Sequence, residues 1–158
     1  MIGRAVFLLV CLISAPAAAD MSGPARVIDG DTIVIGRVTV RLFGIDAPEI
    51  GQSCVDGRGR PYDAGDFAKN WLVLFLAGTQ MSCARIDTDR YGRVVAACRI
   101  EETDIGETMV RAGMAFAYRR YSDRYVPAED AARSAAAGLW AGTCHSPEEW
   151  RRAHPHIR

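Results

Sequence analysis

The stretch that decides the fold is Ala25-Arg26-Val27-Ile28-Asp29-Gly30-Asp31-Thr32-Ile33-Val34-Ile35-Gly36-Arg37-Val38-Thr39-Val40-Arg41-Leu42-Phe43. Three β-rich runs, 25–28, 32–35 and 38–43, are separated by Asp29-Gly30 and Gly36-Arg37, pairs that favour tight turns. The last run alternates Val38, Val40 and Leu42 with Arg37, Thr39 and Arg41, the period of a half-buried strand. Three antiparallel strands follow from this pattern. Further along, residues 50–60 hold three glycines and no periodicity, which predicts a surface loop. Pro61 is placed at the opening of a helix. In that helix Phe67, Trp71, Leu74 and Phe75 share one apolar, core-facing stripe, and Gly78 is the stop.

Two more strands are expected at 81–86 and 94–100, around the turn-like Asp87-Thr88-Asp89-Arg90-Tyr91-Gly92. A second helix starts at Asp104, with Glu107 three residues on as in a capping box, and stops at Gly113. A third, Ala-rich, runs from Pro127 to Gly138. The tail 143–158 has Trp150 as its anchor and is expected to fray after it. The fold class is therefore α+β: a five-stranded OB-type Greek-key barrel over residues 20–142, with about three flanking helices. OB barrels often bind oligonucleotides, but function has to come from a site.

At 158 residues and 17.2 kDa the chain fits one domain. It is 49% hydrophobic and 24% charged, which excludes a long coiled coil, collagen and a mostly disordered chain. Nineteen basic residues balance nineteen acidic ones, so a strongly basic nucleic-acid clamp is excluded as well. Only Lys69 among the basic residues is not Arg, the side chain suited to bidentate grips on phosphate or carboxylate.

The first nineteen residues read as an export signal: Arg4, an apolar run from Ala5 to Ala15 too short to span a bilayer, and Ala17-Ala18-Ala19 as the cleavage site. A retained anchor and lipidation at Cys11 are the alternatives, the latter opposed by the bulky Val10 before it. Cleavage before Asp20 leaves 18 basic and 19 acidic residues, a net charge of −1. The product is expected in the periplasm or outside the cell, off the membrane, as a monomer. Export leaves four cysteines in an oxidising compartment, which suggests two disulfides, since no zinc-type spacing is present. A hairpin centred on Arg90-Tyr91 sets Cys83 opposite Cys98, and Cys54–Cys144 follows by elimination.

Two segments concentrate polar residues among apolar strands: Ile28-Asp29-Gly30-Asp31-Thr32 and Arg41-Leu42-Phe43-Gly44-Ile45-Asp46-Ala47-Pro48-Glu49. Asp31, Asp46 and Glu49 can converge from two strand ends. Clustered carboxylates repel unless something positive lies between them, and a hard divalent cation with oxygen ligands is the usual answer. Turn and cap roles for Asp29, Asp31 and Asp46 compete with that reading. Arg41, mid-strand beside the acids, favours it, and Arg93 stands at the mouth of the second strand pair. Gly57-Arg58-Gly59-Arg60 is not read as a phosphate loop, because no strand is expected before it. His145, His154 and His156 have no partner spacing.

Ile28 to Thr32, Arg41 to Glu49 and Thr88-Asp89-Arg90-Tyr91-Gly92-Arg93 resemble, in order and spacing, the three signature segments of the thermonuclease (staphylococcal nuclease-like) family. The resemblance extends from about Ala25 to Trp140, and Gly138-Leu139-Trp140 resembles the family's end of the last helix. It implies an OB barrel and Ca²⁺-dependent cleavage of phosphodiester bonds in DNA and/or RNA. Asp31, Asp46 and the Ala47 carbonyl would hold the metal, with Asp29 just outside its shell. Glu49 would activate water, and Arg41 and Arg93 would grip the phosphate. Arg90, Tyr91, Arg119 and Tyr121 would line the nucleotide site. The chain departs from the pattern at Ala47, where Thr is common, at Arg90 for Lys, at Arg119 for Tyr, in the loop 51–60 and in its cysteines. The alternative is a non-catalytic OB module that binds oligonucleotide or protein. Such a module would be expected to have lost some of Asp31, Arg41, Asp46, Glu49 and Arg93, and all five are present.

Overall fold

A computed structural model describes residues 21–155. The expected signal, Cys11 and His156 lie outside the described residues. The chain begins with β1 (Met21–Gly23) and β2 (Ala25–Val27), one extended segment interrupted at Pro24, which has no N–H to give a ladder. The expected strands follow as β3 (Thr32–Ile35) and β4 (Val38–Leu42), antiparallel, with Thr32 opposite Arg41 and Ile33 opposite Val40. Gly36 makes their turn at φ 59°, a conformation that favours glycine. A short β5 (Ile45–Asp46) comes next.

The predicted surface loop contains a small hairpin instead, β6 (Ser53–Val55) against β7 (Pro61–Asp63). Its turn is closed by Asp56, whose carboxylate accepts the backbone N–H groups of Arg58 and Arg60. A strand thus does precede Gly57, but the loop's N–H groups are taken by the chain's own acid. Pro61 lies in β7 rather than opening the helix. The helix, α1 (Ala64–Leu76), is capped by Asp63, which accepts from the Asp66 N–H.

The stripe expected to face the core from α1 is also corrected. Leu74 is 78% exposed and Phe67 47% exposed, while Ala64, Gly65, Ala68, Leu72 and Leu76 are buried. Trp71 and Phe75 stack on each other at 5.0 Å and are half-buried at the edge of the core. The reason is steric. A Cβ on Gly30 would stand 2.6 Å from the Ala47 methyl and 3.1 Å from that of Ala68, and Gly65 lies directly against the Glu49 carbonyl. At Gly65 and Ala68 the helix approaches so closely that only small residues fit, while Leu72 and Leu76 fill the core further along.

β8 (Met81–Thr88) and β9 (Val94–Ile100) form the expected hairpin, longer than predicted. Cys83 pairs with Cys98 in register, and a bulge between Arg85 and Asp87 shifts the ladder beyond them. Both expected disulfides, Cys83–Cys98 and Cys54–Cys144, are present. Then come β10 (Thr103–Asp104), α2 (Ile105–Arg111), β11 (Phe116–Ala117) and α3 (Val126–Ser134). Asp104 caps α2 by accepting from the Glu107 N–H. α3 stops short of the predicted Gly138, with Ala136 at φ 49°, and Gly138–Ala141 is a separate 3₁₀ turn. A fourth helix, α4 (Pro147–Ala153), carries the expected anchor Trp150, continues to Ala153 where fraying was expected, and begins with a full capping box of Ser146 and Glu149.

The main sheet has the order β1-β8-β9-β4-β3-β2, with β4 and β9 parallel and β10 on β9. Its two ends, β1 and β2, are consecutive parts of one segment, so the sheet returns on itself as a barrel. Ile33, Val40, Leu42, Ile45, Leu72, Ile105 and Met109 are buried between sheet and helices. The architecture is α+β with a barrel-like sheet core of OB type. The small pair β5–β11 stands beside it and presents Asp46 at the barrel rim.

Candidate active site

Register brings the first two partners together. Thr32 faces Arg41 across β3–β4, so the residue before Thr32 lies within reach of the guanidinium. Arg41 Nη1 donates to Asp31 Oδ1 at 2.7 Å and Nη2 to Asp46 Oδ1 at 3.0 Å. Asp31 also accepts from the Thr32 hydroxyl at 3.1 Å and from the Ala47 N–H at 3.2 Å. That last bond fastens the Ala47 loop to the start of β3. Both aspartates are buried.

Arg93 joins from the second hairpin. Its Nη1 donates to Thr32 Oγ1 at 3.2 Å and its Nε to Asp89 Oδ2 at 2.7 Å. Asp89 also accepts the N–H groups of Tyr91 and Arg93, so one carboxylate both shapes the turn and aims the arginine. Burial opposes the Asp89 charge, but those bonds from Arg93 and Tyr91 hold its carboxyl below the usual range.

Glu49 lies at the same rim, half-buried. Its N–H donates to Gln52 Oε1 at 3.1 Å, and its carboxylate accepts from Arg151 Nη1 at 2.7 Å. Arg151 also takes both oxygens of Asp46, Oδ1 at 3.1 Å and Oδ2 at 2.8 Å. This residue was not singled out in the sequence, and neither was Gln52, which is fully buried. The Gln52 amide donates to the His145 carbonyl at 2.9 Å, tying the Glu49 loop to the C-terminal segment.

The charges here are strongly interdependent. Burial raises the Asp46 carboxyl, and the like charge of Asp31 adds to this, while the two arginines pull it back. Burial and the neighbouring Asp31 push Asp29 up to about 6, although it accepts the Asp31 N–H. For Arg41 burial works against the charge, but Asp31 and Asp46 outweigh it and keep the group protonated.

The remaining predicted residues divide. Tyr91 is 61% exposed at the hairpin tip, with the Arg90 and Arg93 guanidinium carbons 4.8 and 5.6 Å from its ring centroid. Tyr121 is 66% exposed and edge-on to Tyr118 at 4.9 Å. Tyr118 is the aromatic beside the charged cluster, 6.0 Å from the Arg41 guanidinium. Its position one residue before Arg119 was the available signal. Arg119 itself is not brought to the cluster. It pairs at 2.5 Å with the buried Glu129, which also accepts the Ala117 N–H and the Arg133 guanidinium. The His154 ring stacks on Trp150.

Among the described residues no three His, Cys, Asp or Glu side chains close on a common point as a metal cage. Two guanidinium groups stand between the carboxylates instead. In kind, the donor set suits a hard divalent cation: carboxylates and one carbonyl, without sulfur or imidazole. The Arg151 guanidinium is itself a stand-in cation on Asp46 and Glu49. Among the described residues no helix is long and apolar enough to cross a membrane.

The family described as staphylococcal nuclease homologue matches residues 39–142. A succinoglycan biosynthesis protein of Rhizobium meliloti is 37% identical over 88% of this chain and 74% of its own length. A micrococcal nuclease of Shigella flexneri is 34% identical over 92% of this chain and 88% of its own. An uncharacterized endonuclease of Haemophilus influenzae is 33% identical over 80% and 70%. A barrel with Asp31, Arg41, Asp46, Glu49 and Arg93 gathered at one rim, together with these matches, shows that the chain belongs to the family of staphylococcal nuclease homologues and is a phosphodiester-hydrolysing nuclease.

Proposed function

We propose that the protein is an exported, monomeric, Ca²⁺-dependent nuclease that cleaves DNA and/or RNA by attack of water on the phosphodiester. The observation that carries this is the network in which Arg41 joins Asp31 to Asp46 and Arg93 reaches the same strand end through Thr32. Asp31, Asp46 and the Ala47 carbonyl would hold the metal. Bound there, Ca²⁺ would offset the phosphate charge and favour ionisation of water.

The chain's own residues supply the rest. A phosphodiester is already anionic and gains charge as water adds. Two guanidinium forks, from Arg41 and Arg93, each offer paired N–H donors to the phosphate oxygens and favour that added charge. Glu49, half-exposed at the rim, takes the proton from the attacking water, a contribution of roughly 10²–10⁴-fold. Tyr91, Tyr118 and Tyr121, with Arg90, offer ring faces and charge to the flanking nucleotide. Export is supported by the sequence of residues 1–19 and by two disulfides, which persist in oxidising compartments.

The test is Glu49→Gln. Turnover should fall by roughly 10²–10⁴-fold with the melting temperature unchanged, and unchanged turnover would refute the general-base role. Mass spectrometry of the exported protein should show a chain beginning at Asp20.

A further inference from the structure

One cation in the site comes from a segment that the three signature stretches do not include. Arg151 lies on α4, 105 residues from Asp46 in sequence, yet its fork takes both Asp46 oxygens and one oxygen of Glu49. Its side chain is 26% exposed. Burial works against its charge, but Asp46 and Glu49 outweigh burial and keep it protonated.

The helix is held in place by several independent ties. Cys144 is bonded to Cys54. Val55 and Thr143 exchange both backbone hydrogen bonds. Gln52 reaches the His145 carbonyl, and the Ser146–Glu149 capping box fixes where the helix starts. Arg151 is therefore presented to the carboxylates at a high effective concentration.

We propose that Arg151 is a tethered counter-cation of the active site, which a divalent cation must displace to engage Asp46 and which must release Glu49 before that carboxylate can take a proton, so that the C-terminal helix sets the cation concentration at which the enzyme turns on. The inference rests on the reading of this rim as a cation site. The Arg151 fork takes both Asp46 oxygens, so a metal there competes with it, and two cations crowded on one carboxylate repel. A site that is competent for only a fraction of the time binds more weakly by that fraction. If the guanidinium is engaged nine-tenths of the time, apparent affinity is lowered about tenfold.

The test is calorimetric titration of Ca²⁺ into the oxidised exported protein, with Arg151→Ala and Arg152→Ala compared with wild type. Arg152 is the neighbouring charge on the same helix, and its Nε donates to the Glu148 carbonyl rather than to Asp46 or Glu49. Arg151→Ala should bind Ca²⁺ about tenfold more tightly, and Arg152→Ala should match wild type. By reciprocity, Ca²⁺ should speed hydrogen exchange across residues 147–153 of the unmodified protein, a readout that needs no variant. Equal, measurable affinities in wild type and Arg151→Ala, or exchange unchanged by Ca²⁺ at saturation, would overturn the counter-cation role alone. Absence of Ca²⁺ binding in every form would overturn the calcium reading together with it.

Discussion

Replacing Gly30 by alanine puts a single methyl between α1 and the Ala47 loop. Gly30 has no left-handed φ, so the backbone accepts alanine and the cost is one of contact. The new Cβ would be 2.6 Å from the Ala47 methyl, where ordinary contact begins at 3.4 Å, so one side must retreat by about 0.8 Å. Overpacking of this kind costs about 1–3 kcal/mol. The Asp31–Ala47 N–H bond, already 3.2 Å, would be lost by such a retreat, at about 1.5–3 kcal/mol for a bond to a charged acceptor. Reduced freedom of the unfolded chain returns about 0.4–1 kcal/mol. The net expectation is a loss of about 3 kcal/mol, a drop of roughly 1–2 M in the urea midpoint. The assay is urea unfolding of the oxidised protein followed by tryptophan fluorescence. Gly30→Ala combined with Ala47→Gly removes the nearer clash and should recover part of the loss. A single variant within about 0.5 kcal/mol of wild type, or a double variant no more stable than the single, would refute this account of how the helix seats the site.

Glu129→Ala leaves the buried Ala117 N–H without its partner and should cost about 2–3 kcal/mol in the same assay. Arg119→Ala should cost about 1–3 kcal/mol, because it removes the close partner of the buried Glu129 carboxylate, and leave KM for single-stranded DNA unchanged; a raised KM would restore it to the nucleotide site. Asp29, raised to about 6 from an ordinary 3.8, holds a proton in the folded state that the unfolded state releases between about pH 4 and 6. With chelator present, its contribution therefore weakens stability as pH rises through that window, by up to about 3 kcal/mol at neutral pH. Asp29→Asn should then stabilise the protein at pH 7.5 and not at pH 3.5, and a gain equal at both would contradict the assignment. Opening both disulfides by Cys→Ser exchange removes closures spanning 90 and 15 residues, worth about 4.6 and about 3 kcal/mol by chain entropy, and should lower the urea midpoint sharply.

What the sequence disclosed and what it hid follow from the range of the interactions involved. Asp31, Arg41, Asp46 and Glu49 are brought together by one hairpin register and a short excursion, so a local reading reached them. The Cys83–Cys98 pair was legible for the same reason, even though the bulge after Arg85 breaks strict symmetry about the turn. The buried face of α1 was not legible, because apolar periodicity pointed to Phe67 and Leu74. The actual constraint is the closeness of Gly30 and Glu49, which selects Gly65 and Ala68. Arg151 was hidden by sequence distance alone. Two local signals were present in the Ser146-Pro147-Glu148-Glu149 helix start and in Cys144 tied to Cys54. Together they argue that the tail is ordered, though not which carboxylate its arginine meets. The pairing of Arg119 was hidden for the same reason, because its partner Glu129 comes from a helix further on.

The most direct test of the central claim is degradation of labelled single-stranded DNA by the oxidised exported protein, with Ca²⁺ and again with chelator in excess. The account predicts cleavage that requires Ca²⁺ and disappears with chelator. Folded protein that leaves the DNA intact in Ca²⁺, or that cleaves equally well in chelator, would contradict it.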